Sequence, residues 1–388
     1  MTERLVIVGG GPAGLSAASS YRTHGGTGEV IICSADTAPP YQRPPLSKDY
    51  LRGELDEAEL AMEPETFYAE QSIDVRLNAE VTALDAHARQ VRVGGDTLDF
   101  TTCVLATGSE PLRPPVEGAE HPKILTLRSL ADARRLVAAA SPAHYAVVVG
   151  SGFIGCEAAA SLALRGLDVT LVSAETLPQR ERLGADAGQI IAGWLRDLGV
   201  HTVLGRQLGA FAPDATGVRL DDGREIGTEM IVLATGVTPR IQLAESAGLA
   251  IDHGGICTDR RMRTSVAGIY AVGDIAYAFN PAAGRPLRVE HWGEAEAMGE
   301  VAGTVIAGGD AEWAQAPGFW SEIGNHTVKY VAWGDGFDQA QLHRHPGGGF
   351  TIWYASNAIV VGALTHEADA DYGRGQELVE AGAAVTEV

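Results

Sequence analysis

Positive charge and cysteine are both scarce in this chain. Among its 388 residues, 29 Lys and Arg stand against 50 Asp and Glu, a formal net charge of −21. That balance argues against nucleic acid and anionic membrane surfaces as main partners. Only four cysteines occur, Cys33, Cys103, Cys156 and Cys257. None forms C-x-x-C and no His/Cys cluster has zinc spacing, so neither a dithiol redox centre nor a metal site is expected. Buried free thiols in a reducing cytosol fit this usage, and a cytoplasmic location is expected. The start, Met1-Thr2-Glu3-Arg4, lacks the layout of a secretory signal, and no apolar run is long enough to span a bilayer. Glycine is frequent, 48 residues, but has no period of three, and no long block of like charge appears. Collagen-like and disordered readings are excluded. With 45% hydrophobic and 20% charged residues, the chain can build sizeable cores. At roughly 100–200 residues per domain, two to four domains are expected.

What is present is an internal echo. Leu5-Val6-Ile7-Val8 runs into Gly9-Gly10-Gly11-Pro12-Ala13-Gly14, an Ala/Ser-rich stretch, then Val30-Ile31-Ile32-Cys33. Ala146-Val147-Val148-Val149 runs into Gly150-Ser151-Gly152-Phe153-Ile154-Gly155, a helical stretch, then Val169-Thr170-Leu171-Val172. Each reads as a buried parallel strand, a glycine turn, a helix and a second buried strand. A second echo sets Val104-Leu105-Ala106-Thr107-Gly108 against Val232-Leu233-Ala234-Thr235-Gly236, two short strands that end at glycine. Together these predict two nucleotide-binding βαβ domains. Pro111-Leu112-Arg113-Pro114-Pro115 is a stiff connector between them. Beyond a break near Gly308-Gly309 and Pro317-Gly318, alternating residues with Gly-rich turns predict a small antiparallel region, followed by a helix over 371–381.

In Gly9-x-Gly11-x-x-Gly14, the first glycine makes the tight turn, the second admits a pyrophosphate, and the third lets helix and strand pack closely. Asp36 follows the second strand, where a carboxylate can accept from ribose hydroxyls. Gly150-x-Gly152-x-x-Gly155 repeats the cradle. There Ser173 stands at the strand end with Glu175 two residues on, so NADH and NADPH both remain open. Ala271-Val272-Gly273-Asp274 is a third motif, a strand ending in a turn that can place a carboxylate beside a ribityl chain. Two dinucleotide sites in one chain suggest two dinucleotides that exchange electrons.

With these motifs stands Pro40-Tyr41-Gln42-Arg43-Pro44-Pro45-Leu46-Ser47-Lys48-Asp49-Tyr50-Leu51. Further on come Gly152-Phe153-Ile154-Gly155-x-Glu157, Gly236-Val237-x-Pro239, Arg263-Thr264-Ser265, Glu290-x-Trp292 and Phe319-Trp320-Ser321. Over essentially its whole length the chain resembles the FAD-dependent ferredoxin and rubredoxin reductases of oxygenase systems, the putidaredoxin reductase-like family. The resemblance implies an α/β fold with two Rossmann-like, glutathione reductase-like domains and a small C-terminal α+β domain. It places FAD binding in 1–115 and 243–315, NAD(P) binding in 116–242, and the C-terminal domain in 316–388. By the same resemblance Gly9, Gly11, Pro12, Ala13, Gly14, Asp36, Arg43, Lys48, Val81, Ala106, Asp274, Trp292 and Trp320 serve FAD. Gly150, Gly152, Phe153, Ile154, Gly155, Glu157, Ser173, Gly236 and Glu290 serve NADH or NADPH.

Lys48 lies in a Pro-stiffened loop and Glu157 near the start of the second cradle helix. If these segments close together, they form a partly buried ion pair whose ammonium favours the reduced, anionic flavin. Positioning nicotinamide C4 about 3–3.5 Å from the flavin supplies the rest, and hydride transfer itself needs no general acid or nucleophile. His291 has equal claims to a nicotinamide contact and a structural role. Trp313 and Trp333 read as packing, and His326, His343 and His345 as loop residues. The loop around Lys48 carries no cysteine, unlike the active loop of disulfide reductases of this architecture. Direct transfer from flavin to a small carrier remains, a 2Fe–2S ferredoxin first. Alternatives are a rubredoxin or P450 carrier, an NAD(P)H oxidase or quinone reductase, and a signalling flavoprotein that resembles apoptosis-inducing factor. Such a carrier is itself acidic, so docking calls for a local basic rim, with Arg43, Arg288 and Lys329 as candidates. A monomer or homodimer is expected.

Overall fold

Both βαβ units form where the apolar runs place them, because a strand apolar on both faces is stable only inside a parallel sheet covered by helices. The protein was analysed as a computed structural model that describes residues 3–388. The chain divides into two compact units, each built from separated segments. One comprises Met1–Gln42, Ala61–Glu110 and Pro239–Phe319; the other comprises Arg43–Leu60, Pro111–Thr238 and Trp320–Val388. The loop that carries Lys48 thus clusters with the second cradle rather than the first.

In the first unit a five-stranded parallel sheet runs in the order Ile269–Ala271, Thr102–Leu105, Arg4–Val8, Glu29–Cys33 and Ile73–Arg76. Val8 lies opposite both Cys33 and Leu105, so the three central strands end level. The helix Pro12–Thr23 leaves from that end. It packs on the helix Trp292–Ile306 at very short range. A Cβ at Gly299 would overlap the Ala13 carbonyl, and one at Gly303 the Ala17 carbonyl. The spacing of four puts both glycines on one helix face. Small residues on both helices therefore set the approach, a signal readable as Gly299-x-x-x-Gly303.

The second unit repeats the plan, with parallel strands in the order His201–Leu204, Asp168–Ser173, Tyr145–Val149, Met230–Leu233 and Ile124–Thr126. Val149 again lies level with its neighbours, Val172 and Leu233. The helix Phe153–Leu164 leaves from the shared end. The C-terminal region is a five-stranded sheet in the order Gly318–Ile323, His326–Ala332, Ile359–His366, Phe350–Ser356 and Gln339–Arg344. Its last helix spans Asp369–Ala381, two residues longer at the start than the expectation, and closes on Gly382 in the left-handed region (φ 58). Among the described residues, no helix is long and apolar enough to cross a membrane.

Candidate functional site

The two glycine cradles are superposable in their chemistry. Gly9 (φ +123) and Gly150 (φ +107) both adopt a backbone that side chains rarely tolerate. A Cβ on Gly9 would overlap the Ala106 carbonyl, and one on Gly150 the Ala234 carbonyl. A Cβ on Gly14 would overlap the Gly9 carbonyl, and one on Gly155 the Gly150 carbonyl. This explains the second echo in physical terms. The alanine that ends each Ala-Thr-Gly strand is the wall against which the first cradle glycine turns.

The threonines do equivalent work. Thr107 donates to the Arg240 carbonyl (2.7 Å) while Arg240 N–H donates to Gly108 (2.8 Å). Thr235 donates to the Leu112 carbonyl (2.7 Å) while Leu112 N–H donates to Gly236 (2.9 Å). In each unit the strand end thereby grips the connecting chain as it enters.

No side chain caps either cradle helix; Gly11 and Gly152 occupy the N-cap positions in extended conformation. First-turn N–H groups are left to an anion, which the helix dipole favours. Open space surrounds Gly152 where a side chain would project. Uncapped helix starts behind glycines that admit no Cβ fit the pyrophosphates of two dinucleotides.

Around the first cradle, Asp36 accepts from Tyr41 hydroxyl (2.7 Å) through one oxygen and from the Thr37 N–H (2.7 Å) through the other. Its carboxylate is thus held in a fixed direction. Val81, Ala106 and Asp274 are buried in the same unit. Asp274 sits in the turn Gly273–Ile275, where Gly273 (φ +71) lies between Ala13 and Ala295. Trp292 opens the helix Trp292–Ile306. Glu290 pairs with Arg288 at 3.2 Å. The structure brings Pro12, Ala13 and the three glycines into one turn.

Around the second cradle, Ser173 is buried and shares a hydrogen bond with Ser151 (2.7 Å). It also accepts from the Glu175 N–H (3.2 Å). Glu175 accepts from the Glu181 N–H (3.2 Å). Arg180 donates to Thr176 hydroxyl (2.8 Å), and Arg182 lies 5.7 Å from the Phe153 ring centre. Ile154 is exposed. The strand end therefore presents a carboxylate, with both arginines engaged elsewhere.

Lys48 and Glu157 meet in this second unit. Lys48 Nζ lies 2.7 Å from Glu157 Oε2, with side-chain exposures of 5% and 3%. Lys48 also donates to the Pro44 carbonyl (3.0 Å). Ser47 Oγ donates to Glu157 Oε2 (2.5 Å) and Ser321 Oγ to Oε1 (2.6 Å). Two charges taken out of water persist only with such complete hydrogen bonding. Trp320 lies with its ring centre 4.8 Å from Lys48 Nζ and is itself 47% exposed. Arg43 precedes the same loop. Lys48, Glu157, Trp320 and the second cradle are thus assembled in one unit, while Asp36, Val81, Ala106, Asp274, Trp292 and Glu290 belong to the other. The roles of Ser47 and Ser321 are not legible in the sequence: both stand inside recognisable motifs, but a lone serine carries no spacing signal for its partner.

Two of the histidines expected in loops lie in strands instead, His326 at the start of His326–Ala332 and His343 within Gln339–Arg344. Trp313 donates to Glu294 (2.7 Å), whose carboxyl burial raises above the ordinary range, and Trp333 donates to the Val379 carbonyl (3.3 Å). His326 stacks on Trp194 at 4.4 Å. Among the described residues, no cluster of His, Cys, Asp and Glu could hold a metal.

All four thiols are free. Burial pushes Cys33 up to about 11 and drives Cys103 and Cys156 higher still; Cys257, less buried, is also raised. Thiolate is the reactive form. A thiolate-selective reagent at neutral pH is therefore expected to modify the native protein slowly, and at Cys257 first. Peptide mass mapping after partial modification checks this; fast labelling of Cys103 or Cys156 would contradict it.

The pyridine nucleotide-disulphide oxidoreductase family profile matches residues 3–299. Rhodocoxin reductase of Rhodococcus erythropolis is 33% identical over 82% of this chain and 75% of its own length. The ferredoxin–NAD(+) reductase component of the anthranilate 1,2-dioxygenase system of Burkholderia cepacia is 32% identical over 98% of this chain and 95% of its own. The solved covalent putidaredoxin reductase–putidaredoxin complex aligns with a TM-score of 0.92 at 28% identity, over 98% of this chain and 93% of that one.

Proposed function

We propose, from the premise that this chain belongs to the pyridine nucleotide-disulphide oxidoreductase family, that it is the NAD(P)H-dependent FAD flavoprotein that reduces a small 2Fe–2S ferredoxin for an oxygenase or P450. The observation that carries this reading is the buried Lys48–Glu157 pair at 2.7 Å in a loop where no thiol stands. A disulfide-reducing member needs a reactive sulfur; the loop of Lys48 carries none.

Bound at the first cradle, FAD supplies a two-electron acceptor for hydride that can give its electrons up singly. The helix start behind Gly9, Gly11 and Gly14 would bring backbone N–H groups to its pyrophosphate, the Gly9 N–H itself being taken by the Cys33 carbonyl (2.9 Å), and Asp36 would accept from its adenosine ribose. Asp274 would meet the ribityl side. The helix start behind Gly150, Gly152 and Gly155 would do the same for the pyrophosphate of NAD(P)H, with the Gly150 N–H held by the Val172 carbonyl (2.8 Å). Lys48, held by Glu157 and the Pro44 carbonyl, would offer positive charge where negative charge develops, the role of a preorganised dipole. The three-domain division and a monomeric or homodimeric state belong to this reading.

The coenzyme preference follows from the second strand end. Glu175 repels a 2′-phosphate, and Arg180 and Arg182 are turned to Thr176 and Phe153. We expect NADH to be preferred. Glu175→Arg should move the NADPH-to-NADH ratio of kcat/KM upward by about tenfold, a shift of about 1.4 kcal/mol. An unchanged ratio removes Glu175 from discrimination.

Steady-state turnover tests the function. Fast cytochrome c reduction with NADH only when a ferredoxin is added supports the reading. Rapid oxygen uptake without a carrier would instead make the protein an oxidase, and sluggish turnover with a long-lived coenzyme charge-transfer band would make it a redox signal.

A further inference from the structure

We propose that Ser321 is a positioning residue of this reductase, holding the Glu157 carboxylate, and through it the Lys48 ammonium, against the Trp320 indole; the inference rests on the function proposed above.

The second unit supplies the argument. Glu157 Oε2 already accepts two donors, Lys48 Nζ and Ser47 Oγ. Its other oxygen, Oε1, accepts Ser321 Oγ at 2.6 Å and the Glu322 N–H at a longer 3.3 Å. Ser321 is 1% exposed, so no water replaces its hydroxyl. Removing it would leave a buried carboxylate oxygen with one long hydrogen bond, an arrangement that costs free energy and relaxes by rotation. Rotation of Glu157 moves the partner that fixes Lys48. The Ser47 carbonyl is separately tied by Ser161 Oγ (2.7 Å), so that side of the network has a support of its own. The Oε1 side depends on the strand Gly318–Ile323 alone.

The strand also explains why one residue can link three groups. Its neighbours alternate in direction. Trp320 approaches Lys48 at 4.8 Å, Ser321 turns to Glu157, and Glu322 reaches Arg52 at 3.0 Å. Lys48 and Arg52 are four apart on the short helix Asp49–Arg52 and its cap. Four helical residues rise about 6 Å, and two strand residues about 6.6 Å. Trp320 and Glu322 therefore match Lys48 and Arg52 in register. Ser321, between them, is fixed by that match and transmits it to Glu157. The three N–H bonds of Lys48 are then directed to Pro44, Glu157 and the indole face.

The chain has three lysines, Lys48, Lys123 and Lys329, which makes Lys48 individually readable. Holoenzyme is treated with a limiting dose of acetic anhydride, and acetylation is followed at each lysine by mass spectrometry, with Lys123 and Lys329 as internal references. Flavin reduction by NADH is measured in parallel by stopped flow. For Ser321→Ala we expect Lys48 acetylation to rise about fivefold relative to the other two lysines. The limiting reduction rate should fall about tenfold, with the NADH concentration at half-saturation unchanged. Ser321→Thr should restore both, while the near-isosteric Ser321→Val should not. That pair decides the question if the alanine variant loses FAD. Equal behaviour of Thr and Val, or wild-type labelling and rate in Ser321→Ala, would overturn the proposal; so would increased labelling with an unchanged limiting rate. If wild-type protein fails to reduce any carrier, the functional reading fails instead, and the labelling comparison still reports whether Ser321 holds Lys48.

Discussion

Lys48→Met should leave FAD bound and slow its reduction by NADH about a hundredfold, the loss seen when one preorganised charge or donor is withdrawn from a developing anion. Two effects combine in this variant and must be separated. The substitution leaves the Glu157 carboxyl group buried at 3% side-chain exposure with only neutral donors. Breaking a buried pair from one side costs about 3–5 kcal/mol of stability. A slow variant that is also unfolding would be uninformative. The double variant Lys48→Met/Glu157→Gln removes both charges and keeps an amide whose oxygen can accept from one of Ser47 and Ser321 and whose NH2 can donate to the other hydroxyl. It should recover most of the lost melting temperature and none of the rate. Stopped-flow reduction and thermal unfolding of the two variants make the comparison. A double variant that regains both, or a single variant with wild-type reduction, would take Lys48 out of the chemistry.

Gly14→Val should give a colourless protein, and Gly155→Val a yellow one that NADH no longer reduces. A Cβ at either position would overlap a cradle carbonyl, Gly9 in one case and Gly150 in the other. The helix start must then withdraw from the turn, and the first-turn N–H groups lose their common aim at an anion. Because the two positions are equivalent within their own units, the variants separate the two dinucleotides by site. Visible absorbance of purified protein and an NADH titration suffice, with far-ultraviolet circular dichroism to confirm folding. A folded Gly14→Val protein that retains stoichiometric FAD would contradict the assignment of the first cradle. Exchanged phenotypes would reverse the order of the two sites.

Much of the fold was legible because parallel strands and their glycine turns are local features. Leu5-Val6-Ile7-Val8 and Ala146-Val147-Val148-Val149 announce strands by their unbroken apolar character, and both became central strands. The paired Ala-Thr-Gly segments were legible as an echo, but their purpose was not. That each alanine carbonyl walls a cradle glycine, and each threonine grips an incoming connector, depends on residues far away along the chain, with separations that reach 133 positions for Thr107 and Arg240. Ser173 was read correctly as the strand end, yet its bond to Ser151 and the turning of Arg180 toward Thr176 needed three dimensions.

The sequence by itself determined that this chain builds two dinucleotide cradles and carries no cysteine in the loop of Lys48, since strand character, glycine spacing and cysteine placement are written in neighbouring residues. Only the tertiary structure decided that the loop of Lys48 joins the unit of the second cradle, and that Glu157, 109 positions away, gathers Lys48, Ser47 and Ser321. A buried charge is stable only where several distant donors converge on it, and convergence is a property of the packed chain rather than of any stretch within it.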